Sequence, residues 1–182
     1  MLSHEKKRGV LNACPIAKSL GVSMVELMVG IVVIGILSGL AMPSFQTWIR
    51  NSQIRNATES IANGIQRARA EAVARNTDTA FALGTDSSWT VSVVTPASVI
   101  EQRLSNEGSR NVTRTVLPVG ATTITFNNLG VVVTNADASA SLTQVDLVAV
   151  GGSQNLRVTI GVGGNSKMCD PNLASGTSPR AC

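Results

Sequence analysis

The stretch GVSMVELMVGIVVIGILSGLAMP, residues 21–43, decides how this chain is read. Residues 22–42 are apolar or small throughout, apart from one carboxylate, Glu26. A helix of that length rises roughly 30 Å, about the thickness of one hydrocarbon core. A buried helix of a soluble protein can be as apolar but is rarely as long, so the run is expected to span a membrane. The question is why a carboxylate sits inside it.

The flanks orient the span. Residues 1–21 carry Lys6, Lys7, Arg8 and Lys18 against Glu5, and so hold +3 of the net charge of +4. Positive charge just before an apolar run keeps that end in the cytoplasm. The N-terminus is therefore expected to be cytoplasmic and the bulk of the chain to lie outside the cytoplasm. Residues 1–21 resemble the charged region of a secretory signal. No small-x-small cleavage site follows the run in AMPSFQTW. A cut before the run would leave it in the mature protein.

Cysteine and histidine usage narrows the chemistry. Cys14 falls on the cytoplasmic side, whereas Cys169 and Cys182 fall in the exported part, where disulfides persist. A bridge between them would close a short loop and stabilise it by roughly 3 kcal/mol in the chain-entropy picture. Two free thiols are the alternative. The lone histidine, His4, precedes the run, so the exported part has none. That removes Ser-His-Asp and Cys-His nucleophile pairs and every histidine-based metal site. Two cysteines are too few for structural zinc, and no paired acidic motif stands out. No enzyme activity, metal or cofactor is expected.

Beyond Pro43 the pattern becomes amphipathic. Ile54, Ala57, Thr58, Ile61, Ile65, Ala68 and Ala72 recur at three- and four-residue steps, one face of a helix. Glu71 and Arg75 form a favourable i,i+4 pair on the other side. Pro43 is expected to kink or restart the helix, which should end near Asn76. From Thr79 the period switches to two. TAFAL, SWTVSVV, NVTRTVLPV, ATTITFN, SLTQVDLVAV and NLRVTIGV alternate and are rich in Val, Thr and Ile. Turn sequences such as GTDSS, NEGSRN and NNLG separate them. This predicts an α+β chain whose second part is antiparallel β. GVGG at 161–164 reads as a strand end, and CDPNLASGTSPRAC reads as a loop that would fray without a bridge.

The order of features resembles that of a type IV prepilin or type II secretion pseudopilin. That signature has a glycine at the cleavage site, a glutamate as fifth mature residue and a proline near mature position 22; Gly21, Glu26 and Pro43 match. The resemblance implies cleavage by prepilin peptidase between Gly21 and Val22, and N-methylation of Val22. The family's usual first mature residue is Phe or Met, and here it is Val. It also gives Glu26 a role in assembly, meeting the N-terminal amine of a neighbouring subunit. A carboxylate this near the end of the run could instead simply reach the headgroups. Gly35 and Gly39 form a small-xxx-small pair, a helix-packing spacing that is also tolerated without a partner.

The implied fold is pilin-like, with a long N-terminal helix packed on an antiparallel β-sheet head. Its parts are a cytoplasmic leader at 1–21, cleaved; a transmembrane helix at 22–42; an amphipathic continuation at 43–76; and a periplasmic β-rich head at 77–182 ending in a disulfide loop. IQRARAEAVARN leading into TAFAL, then TITFNNLGVV, KMCDP and PRAC, resembles the FimT/GspH branch of minor pilins and pseudopilins. Such a subunit initiates or caps a type IV pilus or a type II secretion pseudopilus. Its implied partners are other pilins or pseudopilins, prepilin peptidase, the inner-membrane assembly platform and the membrane.

An alternative function is DNA uptake. Some FimT-like proteins bind DNA through a Gly-Arg-x-Arg motif before the first C-terminal cysteine. Here that stretch is Gly164, Asn165, Ser166, Lys167, so one arginine is lost and one becomes lysine. Arg157, Lys167 and Arg180 are the candidate phosphate contacts. Residues 79–182 carry six basic and six acidic side chains, a neutral balance that gives DNA binding little electrostatic support.

Overall fold

The computed structural model describes residues 21–176 and 178–182. Residues 1–20, which include His4, Cys14 and all but the last residue of the expected leader, lie outside the described residues. The chain divides into two compact units, one ending at Ala41 and the other Met42–Cys182.

One helix, α1 (Met24–Arg75), contributes to both units. Up to Ala41 every described residue is exposed except the half-buried Gly30. The helix does not restart at Pro43, which lies inside it. A proline removes one backbone donor, and the Thr47 hydroxyl donates to the Pro43 carbonyl at 3.2 Å. The C-terminal end matches the expected position. Asn76 adopts a left-handed φ of 53°. The Asn76 and Thr77 amides donate back to the Val73 and Ala72 carbonyls at 3.3 and 3.2 Å. This is a Schellman-type ending, with asparagine where glycine is commoner.

The strands follow as β1 (Thr79–Leu83), β2 (Trp89–Val93), β3 (Ser98–Arg103), β4 (Val112–Leu117), β5 (Thr123–Phe126), β6 (Val132–Val133), β7 (Gln144–Ala149), β8 (Leu156–Ile160) and β9 (Ser166–Cys169). They form two antiparallel sheets, ordered β3-β2-β1-β5-β6 and β4-β7-β8-β9. All six strands expected from alternation are present, some trimmed at their ends. Of the others, β3 is an edge strand exposed along most of its length, so no buried face imprints a period on SVIEQR. Its register slips between Val91 and Ser92, consistent with a bulge at a sheet edge. At the β1–β2 turn the Ser88 amide donates to Asp86 at 2.8 Å. Hydrogen bonding from Ser105 and then Ser88 holds the Asp86 carboxyl down at about 2.

The core lies between the second part of α1 and the sheets. All seven residues of the expected helix face are buried. Ile54, Ile61 and Ile65 share a cluster with Phe81, Val91, Ile124, Phe126, Leu147 and Val158. The small residues of this face let the backbone come close. A Cβ on Gly64 would lie 2.8 Å from the Phe81 ring and 2.9 Å from that of Trp89. Trp89 donates its indole N–H to the Ser60 hydroxyl at 2.8 Å, which satisfies its one polar group in the interior.

Gly64→Ala should therefore destabilise the protein, although alanine is the better helix former. Overpacking costs typically about 1–3 kcal/mol, against about 1 kcal/mol of regained helix propensity. Denaturant unfolding of the full chain in detergent should give a lower midpoint. A raised midpoint would contradict the close helix–sheet approach.

Candidate functional site

The first candidate lies at the N-terminal end. Gly21, Val22 and Ser23 precede the helix, and the Ser23 carbonyl accepts from the Leu27 amide at 3.1 Å. Ser23 is therefore the N-cap and Glu26 occupies the third helical position. The S-x-x-E spacing is that of a capping box, a signal the sequence reading did not use. A carboxylate in the first turn is also favoured by the helix dipole. Glu26 thus has a local electrostatic reason for its position, beside any role between subunits.

Behind it, as far as Ala41 and among the described residues, the side chains of the helix are exposed. Val25, Leu27, Ile31, Ile34 and Leu37 are more than half exposed. Added methyls at Gly30, Gly35 or Gly39 would meet nothing within 4 Å. An apolar surface of this length, exposed all round, is incompatible with water and requires lipid or other helices as its surroundings. By length and composition this helix can cross a membrane.

The second candidate is the C-terminal loop. Cys169, buried at the end of β9, is bridged to Cys182 with their Cα atoms 5.0 Å apart. The loop is also tied by backbone: the Asp170 amide donates to the Arg180 carbonyl at 2.6 Å, and the Cys182 amide to the Asp170 carbonyl at 3.4 Å. Asp170 caps the turn that follows by accepting from the Asn172 amide at 2.9 Å.

The three candidate phosphate contacts do not form one patch. Arg157 on β8 is held by Asp146 on β7 through two bonds of 2.6 and 3.0 Å. Hydrogen bonding to Asp146 raises the pKa of its guanidinium further, and the close ion pair offsets its charge. Lys167 is exposed on β9, opposite Thr159 and two pairs along from the Arg157–Cys169 pair. Arg180 instead lines a cavity of about 250 Å³ with Arg55, Glu59, Leu156, Met168 and Asp170. Leu156 and Met168 alternate with Arg157 and Lys167 along their strands, so this cavity opens on the opposite face. Within it two arginines face two carboxylates. Among the described residues, no group of His, Cys, Asp and Glu side chains could hold a metal ion.

A family model described as Type II transport protein GspH matches residues 57–164. The match begins inside α1 and stops short of both bridged cysteines, so it is independent of the features at Gly21, Glu26 and Pro43. A comparison with curated proteins finds none that matches. Among solved structures, the type IV minor pilin FimU of Pseudomonas aeruginosa is similar, with 16% identity over 71% of this chain and 94% of that one and a TM-score of 0.50. The minor pseudopilin EpsH from the Type 2 Secretion System of Vibrio cholerae is 13% identical over 66% of this chain and 99% of that one, also with a TM-score of 0.50. At such identities the likeness is one of fold.

Reducing the Cys169–Cys182 bridge should lower the unfolding free energy by about 3 kcal/mol, the loop-closure value for a loop of this size. Hydrogen exchange should show residues 170–182 losing protection while β1 and β2 keep theirs. An unchanged unfolding midpoint after verified reduction would mean that the backbone ties alone hold the loop.

Proposed function

The chain belongs to the GspH family of minor pilins and pseudopilins, and we propose that it acts as the subunit that starts or caps such a filament. Members of this group are structural subunits of type IV pili or type II secretion systems, not enzymes. The observation that carries the proposal is the first part of α1: a helix exposed on all sides, with a single carboxylate in its first turn, five residues after Gly21. Such a segment is at home in lipid before assembly and among like helices afterwards.

In this reading the basic leader keeps the N-terminus in the cytoplasm, and residues 22–42 cross the inner membrane. The head then lies in the periplasm, where the Cys169–Cys182 bridge is stable. Prepilin peptidase cuts between Gly21 and Val22, and the new Val22 amine becomes the site of N-methylation. Glu26 meets the amine of a neighbouring subunit. A carboxylate at the centre of a membrane helix costs about 2.5–3.5 kcal/mol on insertion scales, and less near its end. An ammonium partner in the filament offsets that cost. The assembly platform and other pilins are the remaining partners.

The DNA-uptake reading draws on Lys167 and Arg180, with Arg157 already paired. Two separated cations would give binding to phosphates that is weak and steeply suppressed by salt. No feature of the head favours it over the filament role.

Two measurements test the proposal. Intact-mass analysis of membrane-extracted protein should give a product beginning at Val22; a mature N-terminus beyond Met42 would remove the membrane segment and refute it. Glu26→Ala should insert at least as well as the parent, because a buried charge is removed. It should also lose most crosslinking to neighbouring subunits. Undiminished crosslinking would leave Glu26 with only its place in the first turn.

A further inference from the structure

We propose that the end of the head built around helix residues 45–53 docks on a bilayer surface rich in anionic phosphate headgroups, through Arg50 and Arg110 flanked by Phe45, Trp48 and Val150. The inference rests on the membrane-anchored reading above and goes beyond it, because anchoring by residues 22–42 requires nothing of the head.

Hydrogen bonds fix which parts of the head stand beside this stretch of α1. Asn51 donates to the Ser153 hydroxyl and accepts from the Ser153 amide, both at 3.0 Å. Asn111 donates to Gln53 at 3.4 Å. The β7–β8 turn and the Arg110–Asn111 segment are thereby held at the level of helix residues 50–53. Arg50 packs over Gly151, whose φ is 74°; a Cβ there would collide with the guanidinium. Arg50, Arg110 and Val150 line one open recess of about 350 Å³, and no carboxylate lines it.

The charge here differs from that through the middle of the head. Farther along, arginines are engaged: Arg67 and Arg75 by Glu71, Arg69 by the Gly130 carbonyl, and Arg114 by the Gly84 carbonyl. Among the described residues, Arg50 and Arg110 have neither an ion pair nor a side-chain hydrogen bond. Residues 43–58 contain no acidic side chain. The nearby loop carries Glu107, but Arg103 engages it at 3.8 Å.

The apolar groups complete a pattern suited to an interface. Phe45 and Trp48 are 60% and 64% exposed and stack on each other with ring centroids 5.8 Å apart. Val150, at the tip of the β7–β8 turn, is 85% exposed. At 1.5 Å per residue, Phe45 and Trp48 fall roughly 5–9 Å beyond Met42, and Arg50 about 12 Å. Aromatic rings concentrate at headgroup level, and arginine extends its charge along its stem to reach phosphates. A second subunit could also bury the rings, but rings at headgroup level beside two arginines without acidic partners match the chemistry of an anionic bilayer surface.

The test uses the full chain carrying Cys14→Ser and a spin label at Val150→Cys. It is reconstituted in zwitterionic vesicles and in vesicles containing anionic phospholipid. Resistance to alkaline extraction first checks the span; failure there would defeat the membrane reading itself, not this inference alone. With the span intact, the label should be several-fold less accessible to a water-soluble relaxing agent in anionic vesicles. A label at Leu129→Cys should stay accessible in both. Each arginine near an anionic surface is worth about 1 kcal/mol, about a fivefold change in the docked-to-free ratio. Arg50→Gln with Arg110→Gln should therefore abolish the protection, and the lysine pair should retain it. Equal accessibility in both lipids would overturn the proposal. So would protection that survives the glutamine pair, or protection that follows protein density rather than lipid charge, which would identify another copy as the partner.

Discussion

The approach of α1 to β1 and β2 at Gly64 is the constraint on which the head depends. A helix side chain normally holds a sheet at a distance. Here glycine, with Ala57, Ala68 and Ala72 on the same buried face, lets Phe81 and Trp89 pack almost on the helix backbone. Trp89 can enter that contact because Ser60, one turn earlier on the helix, accepts its indole proton. The isoleucines at 54, 61 and 65 then fill the space between helix and sheets. The helix needs this face only in its second part, so one continuous element can leave its first part to a different solvent.

The distribution of charge follows the same division. Through the middle of the head, acids and bases are matched at close range: Glu71 between Arg67 and Arg75, and Asp146 with Arg157. Most of these pairs are largely solvated and contribute little to stability individually. Their effect is to cancel the field of a surface that would otherwise carry scattered positive charge. A neutral head suits a subunit that must lie beside others without long-range repulsion. Among the described residues, cations without an ion pair include Arg50 and Arg110 near the β7–β8 turn, Arg55 on the helix, Lys167 on the exposed β9 edge and Arg180 in the C-terminal loop.

Much of this was legible in the sequence, for identifiable reasons. The helix face from Ile54 to Ala72 could be read because a single buried stripe imposes a 3.6-residue period. The same holds for β1, where TAFAL alternates because one face is buried. Strand β3 was not legible, since an exposed edge imposes no period, and β6 has only two residues. The division of the strands into two sheets was also hidden, because alternation reports which face is buried and not which neighbour is paired. At the candidate sites, Gly21, Glu26 and Pro43 stand out because their spacing resembles the prepilin signature. The pairing of Arg157 with Asp146 does not, because it joins residues on different strands.

The exposed first part of α1 poses a different energetic problem. Lipid tails and neighbouring apolar helices exclude water about equally well. Moving this segment from one to the other therefore changes its hydrophobic stabilisation little. What can distinguish the two surroundings is the minority of residues that are not simply oily. Gly30, Gly35 and Gly39 leave gaps that a second helix backbone can approach and that disordered lipid tails fill less closely. Glu26 is disfavoured in hydrocarbon and favoured beside a cation. A segment made of leucine and isoleucine alone would hold the membrane as well and give no preference for a partner. In the proposed filament role, three glycines and one carboxylate are thus the features by which an otherwise indifferent helix would prefer its own kind to lipid.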